Sequence, residues 1–187
     1  MLIYDALLSE KQILFSGSLE HSASEIADYV LACTHLVAPP LMGISNRLYP
    51  YAALDNLDFK DEPGFVAGVT NPMFKQKQGW HDVCCEVDLG KIKVSKNKDF
   101  YNYEQEPSFA LDMEFIRALI MRVKHNDCSD EDIRKAFESY TLMTLDLALM
   151  NEDQSTSGVT HDSVKLADLF STRVKRLKKT QLYKAVK

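Results

Sequence analysis

An apolar run, Phe65-Val66-Ala67, continues through Gly68-Val69-Thr70 and stops at Asn71-Pro72. No other stretch limits the fold of this chain as tightly. A short apolar run bounded by turn formers reads as a buried strand that ends abruptly at a loop. Phe74 and Trp80-His81-Asp82 follow a few residues later. The loop holds no metal cluster, no phosphate cradle and no activated nucleophile. Its residues are selected for shape, which points to recognition of another protein.

Two further strand signals precede this one. Leu2 to Leu8 is mostly apolar, Ser9-Glu10-Lys11 makes a turn, and Gln12-Ile13-Leu14-Phe15 resumes the run, so a buried β-hairpin is expected, closed by Gly17. Ser22 followed by Glu25 is a capping-box signature. The helix it starts carries Ile26, Val30, Cys33 and Val37 on one face and is expected to run to Pro39-Pro40. After an irregular stretch from 41 to 64 and the strand at Phe65, a second hairpin is expected, Val83 to Asp88 and Lys91 to Ser95 around Leu89-Gly90.

Beyond Pro107 the periodicity becomes helical. Phe109, Met113, Ile116, Ile120 and Val123 form one stripe and Leu111, Phe115 and Leu119 another, so this helix is expected to be sandwiched. Ser129 and Asp132 cap the next, with Ile133, Phe137, Tyr140, Thr144 and Leu147 on its core side. Asn151 to Thr160 reads as a linker, and a last helix is expected over about 162–178. The fold class is therefore α/β in the α+β sense, a mixed sheet with packed helices followed by a helical C-terminal part. Lys96-Asn97-Lys98-Asp99 marks the expected boundary, dividing the chain into 1–98 and 99–187.

Charge and composition exclude several classes. With 22 basic and 27 acidic residues the net charge is −5, which argues against general nucleic-acid affinity. No apolar run approaches a membrane span and no signal peptide precedes the first element, so a cytoplasmic location is expected. Four cysteines in 187 residues do not make a secreted disulfide framework. The seven glycines form neither a P-loop nor a dinucleotide fingerprint, so no cofactor is expected and a nucleotide-switch protein would enter only as a partner.

Three constellations have competing readings. His81-x-x-Cys84 and His125-x-x-Cys128 have ligand-like spacing, but a zinc site needs all four atoms together, and a buried strand cysteine with an exposed loop pair explains them better. A nucleophilic Cys84 or Cys85 would need an oriented base such as His35 or His125. No catalytic residue and no metal ligand is assigned. In the C-terminal segment Arg173, Lys175, Arg176, Lys178, Lys179, Lys184 and Lys187 follow Asp168 with no intervening acid. They read as a solvated basic tail, or as a peripheral contact with an anionic membrane.

Several of these segments together resemble a known family. Tyr29-Val30-Leu31-Ala32, Pro39-Pro40, Arg47 with Tyr49-Pro50-Tyr51, and Gly68-Val69-Thr70-Asn71-Pro72-Met73-Phe74 resemble the DENN-domain superfamily. Within it the chain is most similar to the stabilisation-of-polarity-axis branch, the Arf-interacting and MesA-like proteins. Trp80-His81-Asp82-Val83-Cys84-Cys85-Glu86, followed by Asp88-Leu89-Gly90-Lys91, fits that branch, with His81 where its pattern has a second tryptophan. The resemblance covers about residues 2–150. It implies a cytosolic module that binds a small GTPase of the Rab or Arf class, as an exchange factor or as an effector. The expected contacts are Arg47, Tyr49, Asn71 and Phe74; the alternative for the Asn71 loop is a strand cap with Phe74 and Trp80 as core lids, and for Arg47 with Tyr49 and Tyr51 a loop packed over the sheet by its tyrosines. Family members carry a longin-like lobe before this part, and the sequence is expected to lack it.

Overall fold

The computed structural model describes residues 1–18, 20–95, 103–150 and 161–186. The expected boundary at 96–99 and the expected linker at 151–160 lie outside the described residues.

A five-stranded mixed sheet forms the centre: β1 (Ile13–Ser16), β2 (Leu48–Tyr49), β3 (Val66–Val69), β4 (Val83–Glu86) and β5 (Lys91–Val94), in the order β2-β3-β1-β4-β5. The first four are parallel, and β5 returns antiparallel to β4. β1 lies between β3 and β4, so all four of its residues are buried. β4, expected to have one wetter face, is also buried throughout because both of its edges are paired.

The N-terminal segment departs from expectation. Leu2–Leu8 is a helix, α1, and no hairpin joins it to β1. Every residue from Tyr4 to Leu8 is buried. A fully buried helix and a fully buried strand present the same unbroken apolar run, and periodicity does not separate them. α2 (Ala23–Thr34) opens with the expected capping box: Ser22 Oγ accepts from Glu25 N, and Glu25 Oε2 accepts from Ser22 N at 2.9 Å. It ends at Thr34, short of the prolines, and buries Ile26, Val30 and Cys33.

Two packed layers flank the sheet. On one face Ile13, Phe15, Val66, Val83 and Cys85 meet α2 and the helical part. On the other, Leu14, Ala67, Val69 and Cys84 meet Phe59, Phe65 and Phe74, with Tyr49, Leu57 and Trp80 packed against them. Each fully buried valine, leucine, isoleucine or phenylalanine among them contributes about 1.5–3 kcal/mol. Gly68 admits the close layers: a Cβ there would lie 2.8 Å from Ile26 Cγ2, and its carbonyl accepts from Ala52 N at 2.7 Å.

The helical part comprises α4 (Phe109–Lys124), α5 (Asp130–Met150), α6 (His161–Leu169), α7 (Ser171–Leu177) and α8 (Gln181–Val186); α3 (Met73–Gln76) is a single turn after β3. The helix expected over 162–178 is thus two short ones, α6 and α7, and α8 follows beyond it. Ser129 and Asp132 cap α5 reciprocally, with Asp132 N to Ser129 Oγ at 3.2 Å and Ser129 N to Asp132 Oδ2 at 2.9 Å. α4 is not sandwiched as expected, since Ile120 and Val123 are 46% and 45% exposed.

The helical part shares its core with the sheet. Tyr4 of α1 packs against Phe137 and Tyr140 of α5, and α7 carries a buried arginine into the same place. Arg173 donates from Nε to Asp5 at 2.7 Å and from both terminal nitrogens to Asp112. Tyr140 Oη also donates to Asp112, and the guanidinium lies 5.0 Å from the Phe170 ring centroid. Burial alone works to lower the Arg173 pKa, but the two carboxylates outweigh it and hold the group charged.

Candidate partner-binding surface

The four expected contact residues do not share one surface. Arg47 ends the turn before β2, at the amino end of the parallel strands, and is 8% exposed. Its Nη1 donates to Gly64 O at 3.1 Å, while Nε and Nη2 find no acceptor among the described residues. Burial lowers its pKa, and Glu10 partly offsets that. Gly64 has φ +66°, and a Cβ there would meet Glu10 Cα at 2.8 Å, so only glycine fits beneath the guanidinium. Arg47 also lines a cavity of about 390 Å3 with Glu10, Asn46, Glu62 and Leu182.

Tyr49 and Phe74 come together, but inside the second core cluster. Their ring centroids lie 5.6 and 6.1 Å from that of Phe59. Phe74 is 1% exposed and touches Trp80 edge to face at 5.8 Å. Its ring is a packing element and presents nothing to a partner. Tyr49 is half-buried, with burial the main cause of its raised pKa.

Asn71 lies at the opposite, carboxyl end of the strands. Its Oδ1 accepts from Met73 N at 3.0 Å, which is the local cap that Asn favours before a turn. Beside it, Tyr51 Oη and Thr70 Oγ1 are 2.9 Å apart, which joins the loop after β2 to the end of β3. Tyr51 and Met73 are 45% and 46% exposed. Neither is among the four expected contacts, although Tyr51 lies two positions from Tyr49 and Met73 directly precedes Phe74. The same end of the sheet carries His21, whose Nε2 is 2.6 Å from Asp88 and whose Nδ1 is 3.3 Å from Glu25. No local spacing connects His21 with Asp88.

Cys33, Cys84 and Cys85 are set as apolar fillers. Burial pushes the Cys33 thiol up to about 12 and the Cys84 thiol to about 11, and raises Cys85 further. His81 and Cys84 do line one cleft of about 300 Å3, together with Lys75, Glu86 and Lys93. His125 and Cys128 lie elsewhere, in the turn between α4 and α5, where His125 Nδ1 is 2.7 Å from Met121 O. Among the described residues no three His, Cys, Asp or Glu side chains are grouped to hold a metal ion.

The C-terminal bases are divided between interior and surface. Arg173 is buried, and Arg176 lies 3.4 Å from Glu106. Lys175, Lys179 and Lys184 are exposed. Among the described residues no helix is long and apolar enough to cross a membrane.

Residues 1–96 match the family model described as "Stabilization of polarity axis". The AFI1-like protein of Schizosaccharomyces pombe is 40% identical over 96 residues, which covers 49% of this chain and 15% of that protein. The chain thus spans a small part of the length of the curated relative it matches. The matched residues contain the whole sheet, α1 to α3 and the Asn71 rim described above, and on that match this chain belongs to the stabilization of polarity axis family.

Proposed function

We propose that this chain is part of a DENN-type module that binds a small GTPase, within a Rab guanine-nucleotide exchange factor acting in cell polarity or membrane traffic. The family is named for its part in stabilising the polarity axis. The observation that carries the reading further is the rim at the carboxyl end of the sheet. Tyr51, Thr70, Asn71 and Met73 stand together there, fixed by backbone and side-chain hydrogen bonds, with two large side chains presented to solvent. Rigid, partly apolar side chains concentrate binding energy at protein interfaces. Open α/β sheets bind their ligands at the same end.

Exchange requires no covalent step. A module that binds the nucleotide-free GTPase more tightly than the loaded one lowers nucleotide affinity by the same factor, because the coupling is reciprocal. The test measures affinity for Rab and Arf proteins in nucleotide-free, GDP and GTP states. Tightest binding to the nucleotide-free form, weakened at least about tenfold by Tyr51→Ala with Met73→Ser, is expected for hot-spot residues. Tightest binding to the GTP form would make the chain an effector or scaffold instead, and no binding in any state would end the reading.

A further inference from the structure

We infer that the β4–β5 hairpin and α3 form a docking surface for an anionic membrane, distinct from the basic C-terminal segment and independent of the GTPase reading. Four lysines lie on these elements: Lys75 on α3, Lys77 just after it, and Lys91 and Lys93 on β5. Three of them converge on one carboxylate. Lys93 Nζ is 2.7 Å and Lys75 Nζ 3.8 Å from Glu86, and Lys91 also stabilises the charged form of that group. Glu86 is 6% exposed, so its charge is largely withdrawn beneath the lysines. At the edge of the patch Asp88 is held by His21 and by the backbone of Ser18. Four cations against one buried and one engaged carboxylate leave a positive surface on a chain whose net charge is −5.

The hairpin tip supplies the second element. Leu89 is 60% exposed at the turn, directly before Gly90 and Lys91. An exposed apolar tip two residues before Lys91 fits an interface where hydrocarbon lies just below anionic headgroups. Polybasic attraction and apolar insertion then add, and two weak signals together hold a protein at a membrane. The exposed Leu89 side chain would gain burial in a membrane and has no counterpart in an acidic peptide recognised by charge alone.

The experiment is flotation of the full chain with phosphatidylcholine vesicles, with and without phosphatidylserine. Binding to the serine-lipid vesicles alone, weakening as salt rises, is expected. Lys77→Gln and Lys91→Gln remove charges outside the close Glu86 pairs and should each lower partitioning about fivefold, the equivalent of about 1 kcal/mol per lysine. Leu89→Ser should lower it further, while Lys179→Gln with Lys184→Gln should leave it unchanged. All five positions are exposed, so unchanged thermal melts are expected to show that the variants fold. No vesicle binding, loss through the C-terminal pair alone, or binding only to a polyglutamate peptide would each overturn the proposal; the last would assign the lysines to an acidic protein.

Discussion

Arg173 holds the carboxylate of Asp112 with both terminal nitrogens, Nη1 to Oδ1 at 3.0 Å and Nη2 to Oδ2 at 2.5 Å. Its Nε is left for Asp5, so one guanidinium ties α7 to α4 and to α1. The planar fork of arginine matches this geometry, and a lysine ammonium would not. Three ionisable side chains are thereby enclosed at the join between the family-matched residues and the helices that follow them, and burial raises the Asp5 carboxyl above its usual range despite the guanidinium beside it.

Removing one partner from such a group leaves uncompensated buried charge. Arg173→Met is expected to cost about 3–5 kcal/mol in a urea melt. Arg173→Lys should recover little of that. Replacing Asp5, Asp112 and Arg173 together by apolar residues of similar volume should restore most of the loss, since a buried ion pair is weak evidence of net stabilisation. A single Arg173→Met variant as stable as the parent would show that the triad contributes nothing to the fold.

Phe74 and Asn71 stand three positions apart around the start of α3, and their removal should cost very different amounts of stability. Phe74→Ala empties the centre of the second core cluster and is expected to cost about 3–5 kcal/mol. Asn71→Ala removes one local hydrogen bond and is expected to cost about 1 kcal/mol. GTPase affinity should fall with Asn71→Ala when measured on protein shown to be folded. Equal destabilisation by the two substitutions would contradict the burial difference between them.

These two residues also show where the sequence was legible. Capping at Ser22 and Ser129 depends on residues three apart, and both caps form. The mixed sheet followed by helices was likewise readable from the change of period. Phe74 reads both as a contact and as a core lid, because an aromatic after a turn looks alike whether it faces solvent or folds back onto Phe59, and burial decides for the lid. α1 was taken for a strand because an unbroken buried run erases the helical period. The Arg173–Asp5 pair spans 168 positions, and the basic residues around Arg173 made it look like part of a solvated tail. Composition carries no trace of such a contact, because only the tertiary fold brings the two together.

Thiol reactivity separates the packed cysteines from the surface one. Cys33, Cys84 and Cys85 are buried and their thiols are raised well above the ordinary range, so little thiolate exists near neutral pH. Cys128 is partly exposed in the turn before α5. Iodoacetamide near pH 8, followed by intact mass, is expected to add one label to the native chain and four after denaturation. Rapid native labelling of Cys84 or Cys85 would point instead to an activated thiol and reopen cysteine chemistry at the His81 cleft.

The Glu86 cluster should make the fold acid-sensitive in a defined direction. The hydrogen bond from Lys93 leads the causes that hold the Glu86 carboxyl below its ordinary value of 4.5. A group whose folded pKa is depressed adds stability above the unfolded value, and that stability is lost as pH falls through the folded one. Melting temperature measured downward from pH 4.5 should therefore drop more steeply for the parent chain than for Glu86→Gln. Lys93 is 64% exposed, so added salt should shrink the difference between the two curves. Parallel acid limbs at low salt would mean that the pair contributes no stability, and that Lys93 is held near Glu86 by the strand register alone.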